Sequence, residues 1–74
     1  MRIVSHDTRF DFQYELTQLV VYSVPGDGYE ICGYSIGNSE IRFGSYSTEE
    51  ACMEEMNNIR EAYSRGDKVY KVRQ

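Results

Sequence analysis

Ser47-Thr48-Glu49-Glu50-Ala51-Cys52-Met53-Glu54-Glu55-Met56-Asn57-Asn58-Ile59-Arg60-Glu61-Ala62-Tyr63-Ser64-Arg65-Gly66 is the one stretch of this chain long and periodic enough for a full amphipathic helix, and its reading decides the fold. Ser47 with Glu50 three residues on has the form of a capping box, the hydroxyl accepting a first-turn N–H and the glutamate reaching back to the cap N–H. This predicts a helix starting at Thr48. Cys52, Met56, Ile59 and Tyr63 follow at i, i+4, i+7 and i+11, one narrow stripe on a 3.6-residue helix. Ala51, Met53 and Ala62 widen it. Glu49, Glu50, Glu54 and Glu55 in the first half and Arg60 and Arg65 in the second suit the macrodipole, with Glu61 and Arg65 as an i,i+4 pair. Gly66 supplies a left-handed stop. Burying the four stripe side chains contributes roughly 1.5–3 kcal/mol each, while a free helix of this length is marginal in water. The helix therefore needs a sheet to lie on.

The rest of the chain reads as short strands. Met1, Ile3 and Ser5 share one strand face, as do Phe10, Phe12 and Tyr14, so a turn at Asp7-Thr8 would set Ser5 opposite Phe10, Ile3 opposite Phe12 and Met1 opposite Tyr14. Thr8, being β-branched, suits a left-handed position poorly. The β-branched run Leu16 to Val24 ends in the turn cluster Pro25-Gly26-Asp27-Gly28. Tyr29 to Ile36 and Glu40 to Tyr46 flank Gly37-Asn38, and Val69 to Arg73 forms a last strand. The order is ββ-βββ-α-β, which predicts a single α+β domain over 1–74 with an antiparallel meander sheet and one helix on one face.

Centring the meander turns on Gly26-Asp27 and Gly37-Asn38 pairs Val21 with Cys32 and Cys32 with Phe43. The helix would then sit on Thr17, Leu19, Val21, Cys32, Tyr34, Ile36, Ile41 and Phe43. Val20, Tyr22, Val24, Tyr29, Ile31 and Tyr46 would form the opposite face, with Gly33 and Gly44 between them. One helix cannot cover both faces. The second is therefore the expected partner interface, or is closed by the N-terminal hairpin.

A chain of 74 residues is one domain, of a size at which a single core rarely supplies more than about 3–5 kcal/mol. A formal charge of −4 argues against non-specific binding to nucleic acid or anionic lipid. Met1 to Val4 leads into polar residues without an apolar signal region, and no run approaches transmembrane length, so a cytoplasmic protein is expected. Cys32 and Cys52 are too few for a zinc site or disulfide framework and read as two buried thiols.

Little in the sequence suggests catalysis. His6 with Asp7, Asp11 and Glu15 could be drawn as a metal or acid–base cluster, but strand alternation divides it between faces. Gly26-Asp27-Gly28 precedes a strand, whereas phosphate loops open a helix. No catalytic residue, metal ligand or cofactor site is expected. Arg65, Lys68, Lys71 and Arg73, interleaved with Tyr63 and Tyr70, have the composition of a single-strand nucleic-acid binder. The alternation is equally that of a half-buried strand whose lysine guards an edge. The glutamates of the helix read as a solvated face.

Met1-Arg2-Ile3-Val4-Ser5-His6-Asp7, Asp11-Phe12-Gln13-Tyr14-Glu15, Tyr46-Ser47-Thr48-Glu49-Glu50-Ala51 and Ile59-Arg60-Glu61-Ala62-Tyr63 resemble a group of small proteins from Gram-positive bacteria and their phages. That group opens MRIIS-QDG, continues D-x-PYE and has a YSTEEKA helix start with a later R-x-AY. The resemblance covers both ends of the chain and implies a shared fold and a mobile-element setting, with no assigned activity. The chain departs from the pattern at His6, Thr8 and Gln13.

These readings converge on a small interaction module that self-associates, as a homodimer, or docks a protein partner through its tyrosine-rich sheet face. The alternative is a small-molecule binder with a pocket between subunits, where Gly33 and Gly44 leave room beside Tyr22 and Tyr29.

Overall fold

Thr48, one residue later than the capping-box pattern suggests, caps the helix: its Oγ1 accepts the Ala51 N–H at 3.2 Å, and α1 runs Glu49–Ser64. Of the two adjacent hydroxyl residues Thr48 takes the cap, its backbone extended and its Oγ1 over the first turn. At the other end Gly66 is left-handed, φ +83°. Its N–H reaches the Tyr63 carbonyl, and the Asp67 N–H reaches Ala62, both at 3.0 Å; this is the Schellman arrangement expected of a glycine stop. Arg65 pairs with Asp67 at 2.9 Å rather than with Glu61. Cys52, Met56 and Ile59 are buried as the stripe predicts. Tyr63 is half exposed and leans on Tyr14, while Ala62 takes the buried position in the last turn.

The computed structural model describes residues 1–26, 28–35, 37 and 39–74. It is α+β. The strands are β1 (Arg2–Val4), β2 (Asp11–Gln13), β3 (Thr17–Val24), β4 (Gly28–Ser35), β5 (Ile41–Tyr46) and β6 (Val69–Lys71), with a 3-10 turn at Tyr14–Leu16 ahead of β3. β3-β4-β5 is the antiparallel meander, and α1 packs on it. The N-terminal hairpin does not extend that sheet. It forms a second sheet, β2-β1-β6, in which β1 runs antiparallel to β2 and parallel to β6.

The first hairpin has the expected register, Ile3 opposite Phe12. Its turn is larger than two residues. The Thr8 N–H bonds the Ser5 carbonyl at 2.9 Å, with Thr8 left-handed at φ +64°. The Ser5 hydroxyl donates to Asp7 Oδ1 and accepts the Phe10 N–H, and Asp7 also accepts the Arg9 N–H. These bonds, the Ser5 hydroxyl first, hold the Asp7 carboxyl below its usual range.

The β3–β4 register differs from expectation by one residue. Val21 faces Ile31 and Val20 faces Cys32, because the pair closes at Val24 and Gly28 with one residue more in the loop than a two-residue turn provides. Asp27, half of the Gly26-Asp27 centre, lies outside the described residues. A slip of one residue exchanges the faces of an entire strand. Ile31 therefore enters the core, whereas Cys32 and Tyr34 turn outward. Between β4 and β5 the expected register holds at Tyr29–Tyr46 and Ile31–Gly44. It then shifts at a bulge, so that Cys32 faces Arg42. The extra residue is Phe43, which lets Phe43 and Tyr46 both reach the core. Ile36 and Asn38, parts of the expected core face and second turn, lie outside the described residues.

The core comprises Ile3, Ile31, Phe43, Tyr46, Cys52, Met56, Ile59, Ala62, Tyr70 and Val72. Phe12 meets Phe43 edge-on, ring centres 5.9 Å apart, so the second sheet closes on the same side of the meander as the helix. Gly33 and Gly44 leave no vacant room. A Cβ on Gly33 would strike the Phe43 ring, and one on Gly44 would lie 2.6 Å from the Tyr46 hydroxyl and 3.1 Å from Val72.

One glutamate departs from the solvated helix face. Glu55 is 4% exposed and accepts the Tyr70 hydroxyl at 2.8 Å, the Arg73 N–H at 2.7 Å and the Asn58 amide at 3.0 Å. Three donors are what a buried carboxylate needs to offset its lost hydration. They tie the chain beyond β6 to α1.

Candidate interaction surface

Among the described residues, neither α1 nor the strands of the second sheet pack on the outer side of β3-β4-β5; at its β5 end Asp7 and Phe10 of the first turn border a hollow with Glu30, Cys32 and Arg42. Alternation places Gln18, Val20, Tyr22 and Val24 of β3 on the outer side, beside Glu30, Cys32 and Tyr34 of β4 and Arg42 of β5. Of the six residues expected at the interface, Val20, Tyr22 and Val24 are on this side. Ile31 and Tyr46 are buried in the core, and Tyr29 packs against it. The one-residue register difference accounts for the division. Tyr34 belongs to the surface and was missed for the same reason.

The hydroxyls of Tyr22 and Tyr34 are hydrogen-bonded to each other. Their bridge spans the Val20–Cys32 pair, which lies between them in the register, and Cys32 is only 3% exposed beneath it. The mutual bond, followed by burial and the Glu40 charge, raises the Tyr34 phenol above its ordinary value. Glu30 pairs with Arg42 at 3.3 Å and receives the Cys32 thiol at 3.8 Å. Burial, reinforced by Glu40 and Glu30, pushes that thiol up to about 12. A thiol so held stays protonated near neutrality and is a poor nucleophile. Cys52 is free as well and sits in the core on the other side of the sheet, so the two cysteines do not share a face.

The basic C-terminal segment borders an open groove of about 640 Å³, with Arg65, Lys71, Arg73 and His6 among its walls. Tyr70 is buried there with its hydroxyl on Glu55, and burial pushes its phenol up to about 12. A ring so placed offers no face for a base to stack on. Lys71 and Arg73 alternate outward between buried Tyr70 and Val72, as in an ordinary half-buried strand. No described group of three or more His, Cys, Asp or Glu side chains is arranged to hold a metal ion.

No protein-family model, curated protein or solved structure matches this chain. The surface must therefore be interpreted from its own chemistry. No helix among the described residues is long and apolar enough to cross a membrane.

Proposed function

We propose that the protein is a small intracellular interaction module that works without catalysis, by self-association through the outer side of β3-β4-β5. The motifs at its two ends suggest a Gram-positive, mobile-element setting. The observation that supports the reading is that α1 and the second sheet both pack on the inner side, which among the described residues leaves Val20, Tyr22, Val24 and Tyr34 without a covering layer. Valine and tyrosine with few charges match the centre of an interface, where charged residues are depleted and aromatics enriched. The small-molecule alternative loses its main support, since Phe43, Tyr46 and Val72 fill the space beside Gly33 and Gly44.

Tyr22→Glu tests the proposal by adding a charge at a 36% exposed site. Sedimentation should show the wild type as a dimer at high micromolar concentration and the variant as a monomer with its helical circular dichroism intact. A monomeric wild type, or a variant of unchanged mass, would overturn the reading.

A further inference from the structure

We infer that a second copy of this chain pairs antiparallel along the free edge of β3, about a two-fold axis, joining two three-stranded sheets into one of six strands. The inference rests on the self-association reading but places the contact at the edge of the sheet, where Val20 and Tyr22 of the outer side flank the seam, rather than across the whole outer face.

The exposed strand edges are not equivalent. The edge of β5 is occupied: the Phe43 carbonyl accepts the His6 N–H at 2.9 Å, and the Ser45 N–H donates to the Gln74 side chain at 3.1 Å. β2 is three residues long and carries Asp11, ion-paired to Arg2. β6 is equally short, and Lys68, Lys71 and Arg73 would set like charges together if two copies met there. β3 differs on every count. Its eight residues, Thr17 to Val24, include no charge and no proline, and they keep unbroken register with β4. Natural proteins block edges of this kind unless something pairs with them.

Backbone geometry gives the seam its donors. The Thr17 N–H bonds the Tyr14 carbonyl, outside the ladder with β4. Strand alternation therefore turns the amides of Leu19, Val21 and Ser23 to the free edge, while those of Val20 and Tyr22 serve β4. A pair centred on Val21 sets Leu19 of one copy against Ser23 of the other and, on the outer side, Val20 beside Tyr22. Both strands being neutral, no like charges oppose each other. Identical strands paired about a two-fold axis close the assembly at two copies. Leu16, 66% exposed, stands at the end of the same strand and gains cover from the second copy.

Eight residues span about 26 Å, and a sheet with its side chains is about 10 Å thick, so the seam closes a few hundred Å² per copy. That is the low end for a specific interface and fits association at high micromolar concentration.

The test combines sedimentation with amide hydrogen exchange on dilute and concentrated samples. In the concentrated sample the mass should double, and exchange at Leu19, Val21 and Ser23 should slow by roughly tenfold or more. Val69 and Lys71 amides should keep their rates. Val21→Pro removes the central seam donor without taking a bond from β4 and should give a monomer with the helical signal retained. Tyr34→Glu, on the central strand, charges the outer face away from the β3 edge and so separates the two places where copies could meet: pairing along the edge survives it, whereas a contact made face to face does not. A dimer that Tyr34→Glu dissolves, with β3 exchange independent of concentration, overturns the seam while sparing self-association. A monomeric wild type overturns both. Should Val21→Pro fail to fold, the wild-type exchange comparison decides.

Discussion

Replacing Thr8 by glycine should stabilise the protein. Thr8 holds φ +64° in the first hairpin turn, a region that costs an L-residue roughly 1–2 kcal/mol and suits a β-branched one least. Glycine removes that cost but gives the unfolded chain more freedom, a loss of about 0.4–1 kcal/mol. The Thr8 hydroxyl also gives up its bond to the Asp7 carbonyl; that bond is exposed, so water replaces it at little cost. The net gain is about 0.5–1 kcal/mol, which for a domain of this size raises Tm by about 3–6 °C. The other loop bonds, from the Ser5 hydroxyl and the Arg9 N–H to Asp7, do not involve Thr8 and should persist. Thermal unfolding followed at the helical circular dichroism band measures the change directly. Thr8→Ala is the control, since it removes the hydroxyl and the β-branch but keeps a Cβ, and its Tm should rise less. An unchanged or lower Tm for Thr8→Gly would show that the turn does not store this strain.

Ile59 is fully buried between α1 and the meander, so Ile59→Ala should cost about 2–5 kcal/mol; a loss below about 0.5 kcal/mol in urea denaturation would refute its core position. Alkali should destabilise the fold. Below pH 9 the Cys32 and Tyr70 groups are protonated in both folded and unfolded chains; their ordinary values of 9.0 and 10.0 rise to about 12 on folding. Between those limits the unfolded chain releases protons that the folded one retains, so stability falls as pH rises and levels off beyond about 12. Urea midpoints at about pH 8 and about pH 11 should differ, and the difference should shrink in Cys32→Ala; equal midpoints would refute the shifts.

The features legible in the sequence were those set by local periodicity. The stripe of Cys52, Met56 and Ile59, the glycine stop at Gly66 and the Ile3–Phe12 register each depend on residues close in sequence. The β3–β4 register depends on the number of residues in one loop. Pro25-Gly26-Asp27-Gly28 can form a turn of two residues or three, and the choice decided whether Ile31 or Cys32 faced the helix. The bulge at Phe43 and the burial of Glu55 were not legible, since the side chains involved meet partners distant in the chain: Phe43 the Phe12 ring, Glu55 the Tyr70 hydroxyl and the Arg73 amide. That single register step puts Tyr29, Ile31 and Tyr46 on the core side, while Val20, Tyr22 and Val24 lie on the outer side, because the face of β3 follows its own alternation.

The parallel pairing of β1 with β6 joins segments from opposite ends of the chain, Arg2 beside Val69 and Val4 beside Lys71. β1 is synthesised well before β6 and so waits for it before its second edge is closed, although Ile3 at its centre ends up wholly buried. Until then the emerging chain carries an unsealed apolar strand. Such long-range closure is paid in loop entropy before any contact rewards it, which makes it a late and slow event. The meander and α1 lie between the two strands in sequence and can assemble beforehand. Production of the protein in quantity should therefore depend on how well β1 is shielded until β6 has emerged, more than on the final stability of the fold.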